Sequence, residues 1–225
     1  MRVQNESPLK KQKRQLLLVD DHPILREGFA YLVDHEADLK VSGHADNAAK
    51  AMNLIATCKP DLVIVDIALK GINGIELIKR IKALHPEVPV LVLSVQDEAL
   101  FAERALRAGA RGYVMKQAAT EEVMAAIRRV LRGGRYLSRK MQERLLENLS
   151  DGSASGSAPG IDCLSDRELE VFQLVGRGCG TRQIAEQLHL SVKTIETYRA
   201  HIKKKLKLRN GMELIRLAVQ RVNER

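Results

Sequence analysis

Three short, wholly apolar runs in this chain each end on charged residues. Leu16-Leu17-Leu18-Val19 meets Asp20-Asp21, Leu62-Val63-Ile64-Val65 meets Asp66, and Gly112-Tyr113-Val114-Met115 meets Lys116. Short apolar runs rich in β-branched residues, with no polar alternation, are expected to form strands covered on both faces, as in a parallel sheet. Parallel strands bring their C-terminal ends to one edge, and that edge is where open α/β sheets bind ligands. Folding of this pattern therefore gathers three carboxylates and one ammonium, and Val90-Leu91-Val92-Leu93 adds the hydroxyl of Ser94.

The rest of the first 134 residues fits that frame. Expected strands at 16–20, 40–44, 62–66, 89–94 and 112–115 alternate with expected helices at 23–35, 47–57, 74–84, 98–108 and 120–132. Lys59-Pro60 and His85-Pro86 stop helices, because the residue before proline avoids the helical region, while Gly109 and Gly133-Gly134 suit helix C-termini. Five βα units predict an α/β domain, a doubly wound five-stranded parallel sheet with helices on both faces. Leu137, Met141, Leu145, Leu146 and Leu149 then recur at helical spacing, giving a linker helix, and the small polar stretch 150–160 reads as flexible coil. Past it, Ser165-Asp166-Arg167-Glu168 has capping-box spacing. Gly176 to Gly180 forms a turn, Thr181 and Ser191 are candidate caps of the next two helices, and a last helix spans about 211–222. This is a small all-α four-helix domain of helix-turn-helix form. The expected partition is a basic flexible tail at 1–15, a first domain at 16–134, a linker at 135–160 and a second domain at 161–225.

Charge is unevenly divided between these parts. Of the net +9, residues 1–15 hold five basic and one acidic side chain, residues 161–225 hold 13 and eight, and the remaining residues have 19 of each. A neutral body with a basic end suits a protein of which one part meets a polyanion. No apolar stretch reaches the ~18 residues of a membrane span, and the N-terminus lacks the apolar core of a signal peptide. Cys58, Cys163 and Cys179 have neither metal nor disulfide spacing. A cytoplasmic protein without membrane attachment is expected.

Carboxylates clustered at strand ends suit a hard divalent cation, most simply Mg²⁺, which relieves their mutual repulsion. A carboxylate beside that ion can attack phosphorus and form an acyl phosphate. On this reading Asp66 is the nucleophile, Asp20 and Asp21 serve the metal, and Lys116 and Ser94 hold the phosphoryl oxygens. Taken singly, each Asp after a strand is more simply a turn former or helix cap, and Asp21 could merely cap the helix beginning near Pro23. It is the conjunction at four strand ends that points to chemistry. Residues 16–132, with Asp20-Asp21, Asp66, Ser94, Tyr113, Lys116 and the loop Ile72-Asn73-Gly74, resemble the receiver domain of bacterial two-component response regulators. The resemblance implies Asp66 as phospho-acceptor, Asp21, Asp66 and the backbone carbonyl of Ala68 as Mg²⁺ ligands with Asp20 alongside, and Ser94 and Tyr113 as a switch pair whose ring turns inward. Lys70 and Gln117 depart from the residues common at their places, where they adjust loops beside the site.

In the second domain, Val192, Ile195, Ile202 and Leu206 line one side of an expected helix from Ser191 to Leu206, and Lys193, Glu196, Thr197 and Ala200 form an outward stripe. Such a face fits a major groove, and the six basic residues from Arg199 to Arg209, with no acidic one, suit phosphate contacts. The plainer alternative is a solvated helix face, with His201 at the surface or in packing. Glu196 could accept from cytosine N4 or join an internal ion pair. Leu164-Ser165-Asp166-Arg167-Glu168-Leu169-Glu170-Val171, Thr181-Arg182-Gln183-Ile184-Ala185-Glu186-Gln187-Leu188 and Ser191-Val192-Lys193-Thr194-Ile195 together resemble the LuxR-type helix-turn-helix domain. With the receiver, this identifies the chain as similar to response regulators of the NarL/FixJ class. The resemblance implies Glu196, Thr197 and Ala200 at base edges, with Thr181, Lys193, Thr194, Tyr198, Arg199 and Lys204 among the DNA contacts.

The implied protein is a phosphorylation-controlled, DNA-binding regulator rather than an enzyme. Its partners are a sensor histidine kinase, double-stranded DNA and a second copy of itself when phosphorylated. In the off state the receiver is expected to cover the recognition helix, and the connector lets it swing away. A haloacid-dehalogenase-like hydrolase is disfavoured, because that class needs its second carboxylate two residues after the first, where His22 stands. A regulator whose basic domain only dimerises remains the other alternative.

Overall fold

The computed structural model describes residues 13–150 and 161–223. Most of the expected tail and of the flexible coil lie outside them. Five strands, β1 (Arg14–Val19), β2 (Leu39–Ala45), β3 (Leu62–Val65), β4 (Val90–Ser94) and β5 (Gly112–Met115), alternate with α1 (Pro23–Asp34), α2 (Ala48–Cys58), α3 (Gly74–Leu84), α4 (Glu98–Ala108) and α5 (Thr120–Leu131). All strand pairs are parallel, in the order β2-β1-β3-β4-β5. The order reverses between β1 and β3, which makes the crevice beyond their C-terminal ends the place for a ligand.

The apolar runs form the strands because both of their faces are covered. Leu16, Leu18, Leu62, Ile64, Leu91 and Val114 pack with Val33, Ile127 and Val130 of α1 and α5. Leu17, Val63, Val65 and Val92 pack with Ile55, Ile75, Ile78, Phe101 and Ala105 of α2, α3 and α4. The sheet begins at Arg14 instead of Leu16, and this trims the expected tail. Arg14 donates to Asp61 Oδ1 at 2.8 Å, and the Gln15 amide donates to Asp61 Oδ2 at 2.7 Å. A polar start was not visible in a pattern read from apolar runs.

The connector is pinned to the receiver along its first half. Tyr136 pairs in parallel with Gly112, the Tyr113 amide donates to Tyr136 O at 3.0 Å, and Met141 of α6 (Arg139–Ser150) is buried. The second domain follows, with a 3-10 turn at Ile161–Cys163, α7 (Asp166–Gly176), α8 (Thr181–Gln187), α9 (Val192–Lys205) and α10 (Gly211–Asn223). Leu169, Phe172, Ile184, Ile195, Ile202, Leu214 and Ala218 make its core. Ser165 caps α7 in a full capping box with Glu168, and Ser191 caps α9. The cap of α8 is Gly180, and Thr181 is its first helical residue, so the expected Thr181 cap is corrected.

Candidate functional site: an acidic pocket and a basic helix

Strand register assembles the pocket. Val19 pairs with Val65, so Asp20 and Asp66 leave the sheet side by side, and Ser94 pairs with Met115, which places Lys116 beside the Ser94 hydroxyl. Lys116 Nζ donates to Asp66 Oδ2 at 2.6 Å and lies 2.7 Å from Asp20 Oδ2. Ser94 Oγ donates to Asp66 Oδ1 at 2.6 Å, and the Ala68 amide donates to the same oxygen at 3.3 Å. Ligand atoms of Asp20, Asp21, His22 and Asp66 all lie within 4.8 Å of one another. Four strand ends far apart in the chain thus meet where the apolar runs placed them.

Burial sets the electrostatics. Asp66 is 1% exposed, and burial pushes its carboxyl above the ordinary range against the pull of Lys116. Burial pulls Lys116 down, but Asp66 and Asp20 outweigh it and hold the ammonium protonated. Asp21 Oδ1 is buried and accepts no hydrogen bond among the described residues. An orphaned carboxylate oxygen in a cluster of three carboxylates fits a divalent cation, which would supply the missing positive charge. Asp21 is not the cap of α1: that place is taken by His22, whose amide donates to Asp20 Oδ1 at 2.9 Å.

Tyr113 is fully buried, and its hydroxyl donates to the Gln96 carbonyl at 2.8 Å. Burial pushes that phenol well above its usual value. The Tyr113 ring thus stands inward here. Lys70 and Gln117 are both exposed, outside the buried set of the pocket.

On α9, Ile195 and Ile202 are buried and Val192 is 40% exposed, so the expected apolar side is narrower by one residue. Lys193, Glu196, Thr197, Ala200 and Lys204 are exposed, and Thr181, Thr194, Tyr198 and Arg199 are half-buried. Glu196 is in no ion pair among the described residues. His201 Nδ1 lies 3.8 Å from Glu168 Oε1, and Lys205 donates to Glu168 Oε2 at 2.6 Å, which ties α9 to α7.

The receiver does not cover the outward stripe of α9. It meets α7 and, through His189 Nε2 at 3.4 Å from Asp21 Oδ2, the turn that leads into α9, and this corrects the expected mode of occlusion. Arg167 donates to the carbonyls of Leu69 at 3.0 Å and Gly71 at 2.7 Å, both in the loop that follows Asp66. Asn73 Nδ2 donates to Glu170 Oε1 at 2.7 Å, and Arg104 holds Leu164 O at 2.7 Å and Asp166 at 3.2 Å. With its amide oriented to satisfy its neighbours, Gln173 donates to Gln96 Oε1 and accepts from the Asp97 amide at 3.0 Å. Sequence reasoning gave none of these residues a part in the contact between the domains. Polar side chains on one helix give no sign of which neighbour will bury them.

Glu170 lies fully buried in this interface, and burial pushes its carboxyl from 4.5 up to about 7, against the pull of Arg167. A carboxyl whose pKa rises on docking holds its proton more tightly when docked. That contribution to docking is complete below the ordinary carboxyl value of 4.5 and is lost as pH climbs through about 7. Docking, followed by the radius of gyration in solution, is therefore expected to loosen between about pH 5 and about pH 8, and Glu170→Gln is expected to flatten that dependence.

The fold and the pocket define a class: a receiver domain joined to a helix-turn-helix domain. Residues 16–128 match the response regulator receiver domain family, and residues 162–218 match the family of bacterial regulatory proteins named luxR. The chain belongs to the LuxR-type response regulators. It is similar to the oxygen regulatory protein NreC of Staphylococcus aureus (strain JH9), with 32% identity over 92% of this chain and 97% of that relative. A LuxR-family two-component response regulator from Aurantimonas sp. SI85-9A1 is 32% identical over 62% of this chain and 99% of its own, with a TM-score of 0.58. RcsB from Salmonella enterica serovar Typhimurium, solved bound to promoter rprA in the presence of phosphomimetic BeF3-, is 26% identical over 92% of this chain and 99% of that one, with a TM-score of 0.61. The chain is a DNA-binding two-component regulator rather than an enzyme of metabolism, and no described helix is long and apolar enough to cross a membrane.

Proposed function

We propose that this regulator takes a phosphoryl group from a sensor histidine kinase onto Asp66 and that the modified receiver then frees residues 161–225 to pair on DNA half-sites. One observation carries the reading: both oxygens of a buried Asp66 are engaged, one by Lys116 and one by Ser94, beside two further carboxylates. A carboxylate oxygen of Asp66 attacks phosphorus, the bond to the donor imidazole breaks, and the electron pair leaves with the ring. Lys116 and Ser94 are already placed to bind the oxygens of the incoming group. Asp21, Asp66 and the Ala68 carbonyl would hold Mg²⁺, with Asp20 alongside, and the ion would neutralise phosphoryl charge. The chain's own chemistry is confined to gaining and losing this phosphate.

Tyr113 and Ser94 form the switch. The Tyr113 hydroxyl sits on Gln96, whose side chain meets Gln173 of α7, so a shift of the loop after β4 reaches the second domain directly. On the DNA, Glu196, Thr197 and Ala200 face base edges. Thr181, Lys193, Thr194, Tyr198, Arg199 and Lys204 meet the backbone or its rim. Two copies bind half-sites about one helical turn apart. Domain limits of 16–134 and 161–225 around a 135–160 linker, with a cytoplasmic location, complete the reading.

The test is a salt titration of duplex binding by the full chain, with and without a small-molecule phosphodonor and Mg²⁺. Treatment is expected to tighten binding, and log affinity is expected to fall linearly with log salt, with a slope of about −0.9 per phosphate contacted. Binding that ignores both salt and phosphodonor would contradict the proposal.

A further inference from the structure

Between α3 and α4 of the receiver runs a groove of about 470 Å³ with cationic walls. Lys79 and Lys82 stand along α3, Arg104 and Arg107 along α4, over a floor of Ile75, Ala83 and Ala108. One acidic residue enters it from the other domain. Asp166, the first residue of α7, accepts from Lys79 Nζ through Oδ2 and from Arg104 Nη1 through Oδ1, each at 3.2 Å. The groove thus already holds one anion, with an oxygen on each wall. Lys82 and Arg107 each lie three residues past that first pair, about 4.5 Å further along the helix axis. No hydrogen bond or ion pair joins either of them to the second domain among the described residues. Lys82 Nζ donates to Pro86 O at 2.9 Å, and Arg107 pairs with Glu103 of its own helix. Gly109, at a φ of 114°, keeps open the place of the Lys82 stem, since a Cβ there would stand 2.9 Å from Lys82 Cγ.

The Asp166 carboxylate therefore serves one pair of cations and leaves the next pair without a counter-charge from the second domain. Ammonium and guanidinium groups are strong donors to phosphoryl oxygens, and two successive pairs suit two linked phosphoryl groups. We propose that this groove binds a free molecule bearing a diphosphate, which takes the donors now held by Asp166 and so loosens the DNA-binding domain. Carboxylate and phosphoryl group repel at this range and compete for the same N–H groups, so one excludes the other. Such a coupling is reciprocal: bound diphosphate weakens docking, and docking weakens diphosphate binding by the same factor. None of the carboxylates of the acidic pocket lines the groove, so this is a second anion site and not an extension of the first.

The experiment titrates pyrophosphate by calorimetry, at fixed ionic strength, into the full-length wild type, the double variant Lys82→Gln with Arg107→Gln, and Asp166→Asn. Mg²⁺ is left out, so the acidic pocket takes no part and the outcome is independent of the role given to Asp66. The double variant removes two charged donors that docking does not use, and is expected to bind pyrophosphate at least about tenfold more weakly. Asp166→Asn keeps the shape of the side chain but removes the competing charge, and is expected to bind pyrophosphate at least about fivefold more tightly. Saturating pyrophosphate is expected to raise the radius of gyration of the wild type, and the same concentration to leave that of the double variant unchanged. Orthophosphate, with one phosphoryl group, is expected to bind the wild type more weakly than pyrophosphate does. Equal pyrophosphate affinity in the wild type and the double variant overturns the proposal, and would put the anion on another basic face such as α9. Orthophosphate bound as tightly as pyrophosphate overturns the assignment of a diphosphate. An affinity of Asp166→Asn equal to that of the wild type, or a radius of gyration that saturating pyrophosphate does not move, overturns the displacement of Asp166.

Discussion

Asp66→Asn is expected to abolish phosphate uptake while leaving the fold in place. The substitution keeps the shape of the side chain and an acceptor for the Ser94 hydroxyl, which now donates to Asp66 Oδ1 at 2.6 Å. It removes the nucleophilic oxygen and turns an amide N–H toward Lys116, whose ammonium now donates to Asp66 Oδ2 at 2.6 Å. Lys116 keeps Asp20 as a partner at 2.7 Å, and the cluster loses one of three mutually repelling carboxylates. The two effects oppose each other, so stability is expected to change by only about 1 kcal/mol. An amide cannot form the acyl phosphate, so labelling from a small phosphodonor is expected to drop at least about 10³-fold, and duplex affinity should no longer respond to that donor. Labelled Asp66→Asn, at a rate near that of the wild type, would place the nucleophile elsewhere.

Gly74→Ala is expected to be the most damaging small substitution in the receiver. Gly74 is the first residue of α3, its amide donates to Ile67 O at 2.8 Å, and the Asn73 side chain caps the helix by accepting from the Ile75 amide at 2.6 Å. A Cβ added there would stand 2.7 Å from the Ile67 Cα and closer still to the Asp66 carbonyl oxygen. Backbone atoms of a buried strand end cannot move aside as a side-chain tip can. The loop after β3 must open, at a cost of about 3 kcal/mol or more. That loop carries Asp66, the carbonyls held by Arg167 and the Asn73 amide that meets Glu170. One methyl group should therefore lower the denaturation midpoint, slow labelling of Asp66 and loosen domain docking together. A variant with normal labelling and docking would show that the loop tolerates displacement.

The parts that were legible in the sequence were those governed by burial and punctuation. Leu62 to Val65 and Val90 to Leu93 can only be strands covered on two faces, and Ser165 with Glu168 marks a helix start whatever surrounds it. These same features carried Asp20, Asp21, Asp66, Ser94 and Lys116 to one edge, so the pocket was readable before any coordinates. Gly74 was readable as part of a loop, but not as a point of close approach, since that depends on where Asp66 and Ile67 run. The interface between domains was not readable. Arg167, Glu170 and Gln173 look like the solvent face of an amphipathic helix, and only packing against the loops after β3 and β4 buries them. Nor could the pattern show that His22 and His189, 167 positions apart, would flank one carboxylate.

All of this depends on Asp66 being the carboxylate that its neighbours make reactive. Acyl phosphates are reduced by borohydride to an alcohol, so the site of modification can be read by mass spectrometry of the treated and digested chain. With a small phosphodonor and Mg²⁺, the reduced residue is expected at position 66, and it should be absent when Mg²⁺ is removed. Reduction at position 20 or 21 instead, or modification that is indifferent to Mg²⁺, would contradict the account.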